Sequence, residues 1–316
     1  MKRLLMAPGI AVVLAGCASN PPELATHART LRVGPDQTYK QPAAAAEAAL
    51  RGDTIIIDGG HYACAVWKAD DLTIQADGNV VIEGPVCKDK GLFVIEGRNV
   101  TVRGISFRGA KSSDGNGAGI RGQGENLTVE SSTFLDNQNG ILATTAKTGT
   151  VTIRNSVFEG NGTCIEEKLG CAHGIYIAAR LVRVEGSTFR RQRDGHYIKS
   201  RSERTELIGN TIEDGADGTS SYLVDLPDGG SLVMRRNILE KGPKSRNPAC
   251  AITIGEESAR HPASEIVLEN NRFWNDMLNP TVFLRNLTSG TPQLSGNIFR
   301  GSVTAVGTKI EQQAIF

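Results

Sequence analysis

From Val100 onward apolar and polar residues alternate in short runs broken by Gly and Asn, the pattern of strands with one face buried. Similar segments recur: NVTVRGISFRGA, NLTVESSTFLDN, TVTIRNSVFEGN, LVRVEGSTFRRQ, RTELIGNTIEDG, SLVMRRNILEKG, EIVLENNRFWND and TPQLSGNIFRGS. Their bulky anchors are Phe107, Phe134, Phe158, Phe189, Ile212, Ile238, Phe273 and Phe299, spaced 27, 24, 31, 23, 26, 35 and 26 residues apart. Such uneven spacing argues against propeller blades and suits a coiled solenoid, in which each anchor stacks on the same position of the next coil. No coil can bury its apolar face alone, so residues 30–316 read as one domain. Asn155, Asn210, Asn237 and Asn271 are expected at turns, tolerating left-handed backbone and hydrogen-bonding the next coil.

Upstream, the Ala-rich stretch from Pro42 to Arg51 predicts a helix with Pro in its first turn and Gly52 as its stop. Thr54 to Asp58 predicts a strand turned by Gly59 and Gly60. One amphipathic helix feeding GDTIIIDGGHY resembles the entry cap of right-handed parallel β-helices. The fold expected is therefore all-β, a right-handed parallel β-helix with a short N-terminal capping α-helix.

A second strand recurs in each coil and can be aligned on its leading residue: Gly119, Gly140, Gly174, Gly195 and Ser221. Strand alternation then turns Ile141, Ile175, Ile177, His196, Ile198, Tyr222 and Val224 inward. Arg121, Leu142, Tyr176, Arg180, Tyr197, Lys199, Arg201 and Asp225 turn outward. Coils in a sheet lie about 4.8 Å apart, so this frame sets Tyr176 beside Tyr197, Arg180 beside Arg201, Lys199 beside Asp225, and His173 near Asp194. A structural ladder of charges between coils would use the same residues.

Composition narrows the class. Thirty-six glycines in 316 residues and only 5% aromatics fit many short strands and tight turns. A net charge of +1 gives no reason to expect a nucleic-acid partner. Lys2 and Arg3 precede an apolar run too short to span a bilayer, an export signal. It ends in LAGC, which resembles the lipobox of bacterial lipoproteins. By that resemblance residues 1–16 are removed, Cys17 is lipidated, and residues 17–29 tether the domain to the membrane. Ala18 and Ser19 follow with no aspartate to favour inner-membrane retention, so the expected location is the outer membrane or periplasm. That compartment permits disulfides; Cys64 is expected to pair with Cys87, and Cys164 with Cys171, leaving Cys250 as a small buried hydrophobe. No cysteine or histidine cluster has zinc-site spacing.

The insertion NGTCIEEKLGCAHG lengthens one coil, and a disulfide-pinned loop there would wall a groove, with Glu166 and Glu167 on its rim. The motifs NGAGIR, AHGIYI, GHYIKSRS and SYLVDLPDGG resemble those of a bacterial branch of the pectate-lyase-like superfamily, over roughly residues 30 to 305. That superfamily includes uronate polysaccharide lyases and epimerases, some with catalytic Lys and Arg on neighbouring coils. Lys199 and Arg201 are similar in kind, though here both fall on one coil. The resemblance implies an acidic polysaccharide as partner, with β-elimination or C5 epimerisation as the reaction. A non-catalytic polysaccharide-binding or structural β-helix lipoprotein is the alternative.

Eliminating across a uronate requires a neutralised carboxylate, a base for the C5 proton and an acid for the leaving oxygen. Arg201 and Arg180 suit the carboxylate. Lys199, Tyr176, Tyr197 and His173 are the proton-transfer candidates, and the residues leave the choice among them open. Asp225 beside Lys199 would keep that lysine protonated and pass the base role to Tyr or His. Arg121, Tyr197 and His196 complete the candidate binding surface. Paired aspartates for a hydrolase and clustered acids for calcium are both missing, so no cofactor or metal is expected. The protein is expected to act as a monomer.

Overall fold

The computed structural model describes residues 28–144, 148–165 and 170–307. Among these, eighteen short strands form one wrapped sheet and ten form a second. Pairings between successive coils are parallel, as between Val151–Arg154 and Leu127–Glu130. This is the expected parallel β-helix. The signal, Cys17 and most of the tether lie outside the described residues, as do Glu166 and Glu167.

The repeat anchors stack as the spacing predicts. Phe107, Phe134, Phe158 and Phe189 have centroid separations of 5.1, 4.6 and 4.5 Å and nearly parallel planes. All four are buried; each contributes about 1.5–3 kcal/mol by burial, and each aromatic pair roughly 0.5–1.5 kcal/mol more. The column continues through Ile212, Leu239 and Phe273. Leu239, not Ile238, is the anchor, because a buried Asn fixes the register two residues earlier. Asn210, Asn237 and Asn271 pass hydrogen bonds from coil to coil at 2.9–3.1 Å. The left-handed residue stands one place before them, at Gly209 (φ 64°), Arg236 (55°) and Asn270 (56°), whereas Asn155 (48°) itself takes that conformation.

At the N-terminal end a helix covers the first coils through buried Pro42, Ala45 and Ala46. It spans Pro42–Ala48, shorter than expected, because Asp53 takes the Leu50 N–H at 2.8 Å and draws the chain out of helical geometry. The following strand runs on through Gly59 to Tyr62, absorbing the glycines in a bulge after Asp58. Both expected disulfides are present, Cys64–Cys87 and Cys164–Cys171. Cys250 is free and buried.

Candidate active site

The smaller sheet carries the site. Its outward row, one residue per coil, reads Val94, Arg121, Leu142, Tyr176, Lys199, Asp225, Thr253 and Arg285. Lys199 therefore stands between Tyr176 and Asp225. The strand Ile198–Ser200 pairs Ile198 with Ile175, two residues away from the register that aligning Gly174 with Gly195 predicts. Gly195 (φ 58°) belongs to the preceding turn. Tyr197 holds the place of Gly174, and the imidazoles of His173 and His196 stack at 4.8 Å. A frame of aromatic, any residue, then Ile or Val (His173, His196, Tyr222) was the signal in the sequence that gives this register.

Several expectations are corrected by that shift. Tyr197 is fully buried, its hydroxyl donating to the Glu213 carbonyl at 2.6 Å and lying 3.0 Å from Asp214, so it is a core residue and touches no site. The strand begins only at Ile198, so alternation does not extend back through Tyr197 and His196; His196 faces the cavity instead of the core. Arg180 sits at a corner, reaching Thr148 and Thr150 at 3.3 Å, and Ala178, not Arg180, precedes Arg201 in the stack. Arg121 lies two coils from Tyr176 and lines no part of the cavity.

What converges does so around Arg201. Its Nε donates to the Tyr176 hydroxyl oxygen at 2.7 Å, one terminal nitrogen to Asp228 at 2.8 Å, and the other to Glu257. Lys199 Nζ donates to the second oxygen of Glu257 at 3.0 Å and lies 3.5 Å from Asp225. Both cations approach the Tyr176 ring, at 5.7 and 5.8 Å from its centroid. Burial works against charge on Glu257, yet the hydrogen bonds from Arg201 and Lys199 hold its carboxyl below the usual range. Asp228 and Glu257 escaped the sequence reading because they come from turns after the strand, one and two coils onward. The neighbouring Glu256 serves Tyr222 and Arg285 in the same way, at 2.9 and 2.6 Å.

The two histidines are neutral donors. His173 Nδ1 accepts the backbone N–H of His196 at 3.0 Å, and His196 Nδ1 accepts that of Tyr222 at 3.1 Å. An Nδ1 so engaged leaves the ring proton on Nε2. Burial, then neighbouring cations, pushes His173 well below its ordinary value and His196 down to about 3. Neither is built to take a proton at neutral pH. His196 Nε2 points at Asp225 Oδ2, 3.4 Å away. Burial lifts the Asp225 carboxyl to about 7 despite Lys199, and its Oδ1 is buried without a hydrogen-bond partner.

Tyr176, Lys199, Arg201, His173, His196 and Glu257 line a cavity of about 790 Å³. The disulfide-closed pair of strands Thr163–Cys164 and Cys171–Ala172 walls one side of it. No group of acids, histidines and cysteines among the described residues could hold a metal ion.

The family model for the right-handed beta helix region matches residues 53–180 and 148–313, nearly the whole described chain. The chain belongs to the right-handed β-helix family. Among solved structures the β-helix is similar to ORF18 of Geobacillus virus E2, at 12% identity and a TM-score of 0.47, covering 78% of this chain and 52% of that one, about half its length. It is also similar to the A-module of the mannuronan C-5 epimerase AlgE4 of Azotobacter vinelandii, at 12% identity, TM-score 0.47, covering 84% and 92%. A third is the pectin methylesterase of Aspergillus niger, at 14% identity, TM-score 0.42, covering 93% of both chains. At these identities the likeness is one of fold. No curated protein matches the sequence.

Proposed function

We propose that the cavity binds a uronate unit of an acidic polysaccharide and abstracts its C5 proton, leading to β-elimination or C5 epimerisation. The observation that carries this reading is the seat of Glu257. Its half-exposed carboxylate rests on Lys199 and Arg201 together, beside the Tyr176 hydroxyl and at the edge of the cavity. Two cations that hold one carboxylate side by side are built to hold another, and a ligand carboxylate takes that place when Glu257 swings out. Neutralising the carboxylate is what makes the adjacent C5–H acidic enough to lose.

Tyr176 is the group that moves the proton. Its hydroxyl oxygen receives Arg201 Nε–H, which orients it and places positive charge where a phenolate forms. In elimination the C5–H bond breaks, its electron pair becomes the C4=C5 bond, and the C4–O bond breaks with a proton delivered to the leaving oxygen. In epimerisation Tyr176 keeps the abstracted proton and later loses it to solvent, while C5 takes another proton from water on the opposite face. Lys199, held between Asp225 and Glu257, serves as a charge partner to the carboxylate. His173 offers an Nε2–H donor to the sugar, while that of His196 is turned to Asp225.

Homopolymers of galacturonate, mannuronate, guluronate and glucuronate, incubated with the domain from residue 30 onward, test the reading. Unsaturated ends are read by ultraviolet absorbance and C5 configuration by proton NMR. Tyr176→Phe should abolish product and spare binding, while Lys199→Ala should weaken both. Binding without product would make the protein a polysaccharide-binding module; absence of both sinks the carbohydrate reading. Anchoring through a lipidated Cys17 at the outer membrane or periplasm belongs to the same proposal, tested by mass spectrometry of the mature N-terminus.

A further inference from the structure

The outward row of the smaller sheet is accessible at Tyr176 and Lys199 and again, beyond buried Leu142, at half-buried Arg121. On the N-terminal side Leu142 and Val94 are buried, although alternation turns both away from the coil interior. The strand pair Thr163–Cys164 and Cys171–Ala172 leaves the stack there, tied at its base by Gly162 N–H to the Asn137 carbonyl. Ile165 extends back over two coils and packs on Gly115, where even a Cβ would come within 2.4 Å of its Cδ1. On the C-terminal side Asp225, Thr253 and Arg285 are buried in turn. The segment Gly255–Ser258 closes over them, its amides bonded to the carbonyls of Leu226 and Pro227 at 2.8–3.0 Å. A third edge is the ion pair of Asp194 and Arg246 at 2.9 Å.

We infer that the site is a blind pocket that takes the end of a uronate chain, not a groove through which a polymer passes. The inference rests on the proposed uronate reading and specifies its substrate. A polymer lying along the coil axis would have to cross the disulfide-pinned wall on one side and the Gly255–Ser258 segment on the other. The groove that the disulfide-pinned loop is expected to wall is therefore closed at its other end as well, because the Gly255–Ser258 segment covers outward residues there. The cavity's size fits a few sugar units, within the range of enclosed small-ligand sites.

The test varies chain ends at constant mass. One uronate homopolymer that the protein binds is partly hydrolysed to a series of mean lengths, and both bound protein and initial rate are measured at equal mass. Halving the mean length should double the ends and double both readings, and solution viscosity should stay nearly constant through early turnover. Readings that follow total mass, or an early collapse of viscosity, overturn the blind pocket while leaving the uronate reading intact. If no uronate of any length binds, both fall together. Cys164→Ser with Cys171→Ser should loosen the wall and shift the dependence towards total mass. A folded double variant that stays strictly end-dependent would show that this wall does not close the site.

Discussion

Both outer faces of the β-helix carry rows of charge, and they differ in what covers them. On the larger sheet Arg103 meets Glu130, Arg154 meets Glu185, and Arg235 meets Glu269 at 2.7–3.1 Å, coil against coil. These arginines are 39–49% exposed. On the smaller sheet the same coil-to-coil spacing sets Lys199 against Asp225, with Arg285 two coils further on against Glu256. The side chains of Lys199, Asp225 and Arg285 are only 11%, 3% and 6% exposed. Asp225 Oδ1, Thr253 Oγ1 and Arg285 Nε are buried there without hydrogen-bond partners. One face is a solvated ladder that stitches coils together; the other withdraws charge from water around a cavity. Burial, far more than density of charge, separates a candidate site from a charged surface.

The sharpest way to break the comparison is to remove one arginine from each face. Arg201→Ala leaves buried Asp228 without its main cation and frees Tyr176 and Glu257. It should destabilise the protein by roughly 3 kcal/mol, the scale of a broken buried pair. Arg154→Ala, in contrast, should cost about 0–1 kcal/mol, as exposed pairs do. Urea unfolding of the two variants reads both numbers. Equal losses would mean that the two faces are ladders of one kind.

Charge reversal by pH sharpens the contrast next. Burial raises Asp225 from the ordinary carboxylate range to about 7, so the folded protein binds this proton more tightly than the unfolded chain does. Stability from this group is greatest below the unfolded value, near 4, and is lost as pH rises towards 7. Asp225→Asn should remove that slope and leave the variant relatively more stable at pH 8 than at pH 5. A loss of 1 kcal/mol lowers the melting midpoint by about 2–4 °C in domains slightly smaller than this one, so calorimetry at several pH values resolves the effect. An unchanged slope would place the origin of the pH dependence elsewhere.

The sequence made the architecture readable because the coil repeats chemistry that is local: a strand, a turn and a bulky anchor every two dozen or so residues. It made Lys199 against Asp225 readable too, since Ser221 and Gly195 do hold equivalent positions. One coil earlier the correspondence fails, because Gly174 and Gly195 do different jobs. Gly174 stands so close to the next coil that a Cβ would lie 2.5 Å from the Tyr197 carbonyl oxygen, whereas Gly195 supplies a left-handed turn. That two-residue offset separates Arg180 from Arg201, while Tyr197 is inside because the strand, and with it the alternation, begins only at Ile198. Glu256, Glu257 and Asp228 were unreadable for another reason: strand periodicity says nothing about where a turn two coils away folds back.

The smallest expected effect tests the solvated face directly. In a double-mutant cycle on Arg103 and Glu130, the coupling should be about 0.2–1 kcal/mol and should shrink as salt is added, because Arg103 is 49% and Glu130 24% exposed and ions reach the pair. Lys199 and Glu257 supply the contrasting cycle. Glu257 is 48% exposed but Lys199 only 11%, so their coupling should survive salt better than that of the exposed pair. A Lys199–Glu257 coupling that fades with salt as steeply as Arg103–Glu130 would mean that water reaches Lys199 freely. The carboxylate seat would then lack the dry surroundings on which its grip depends.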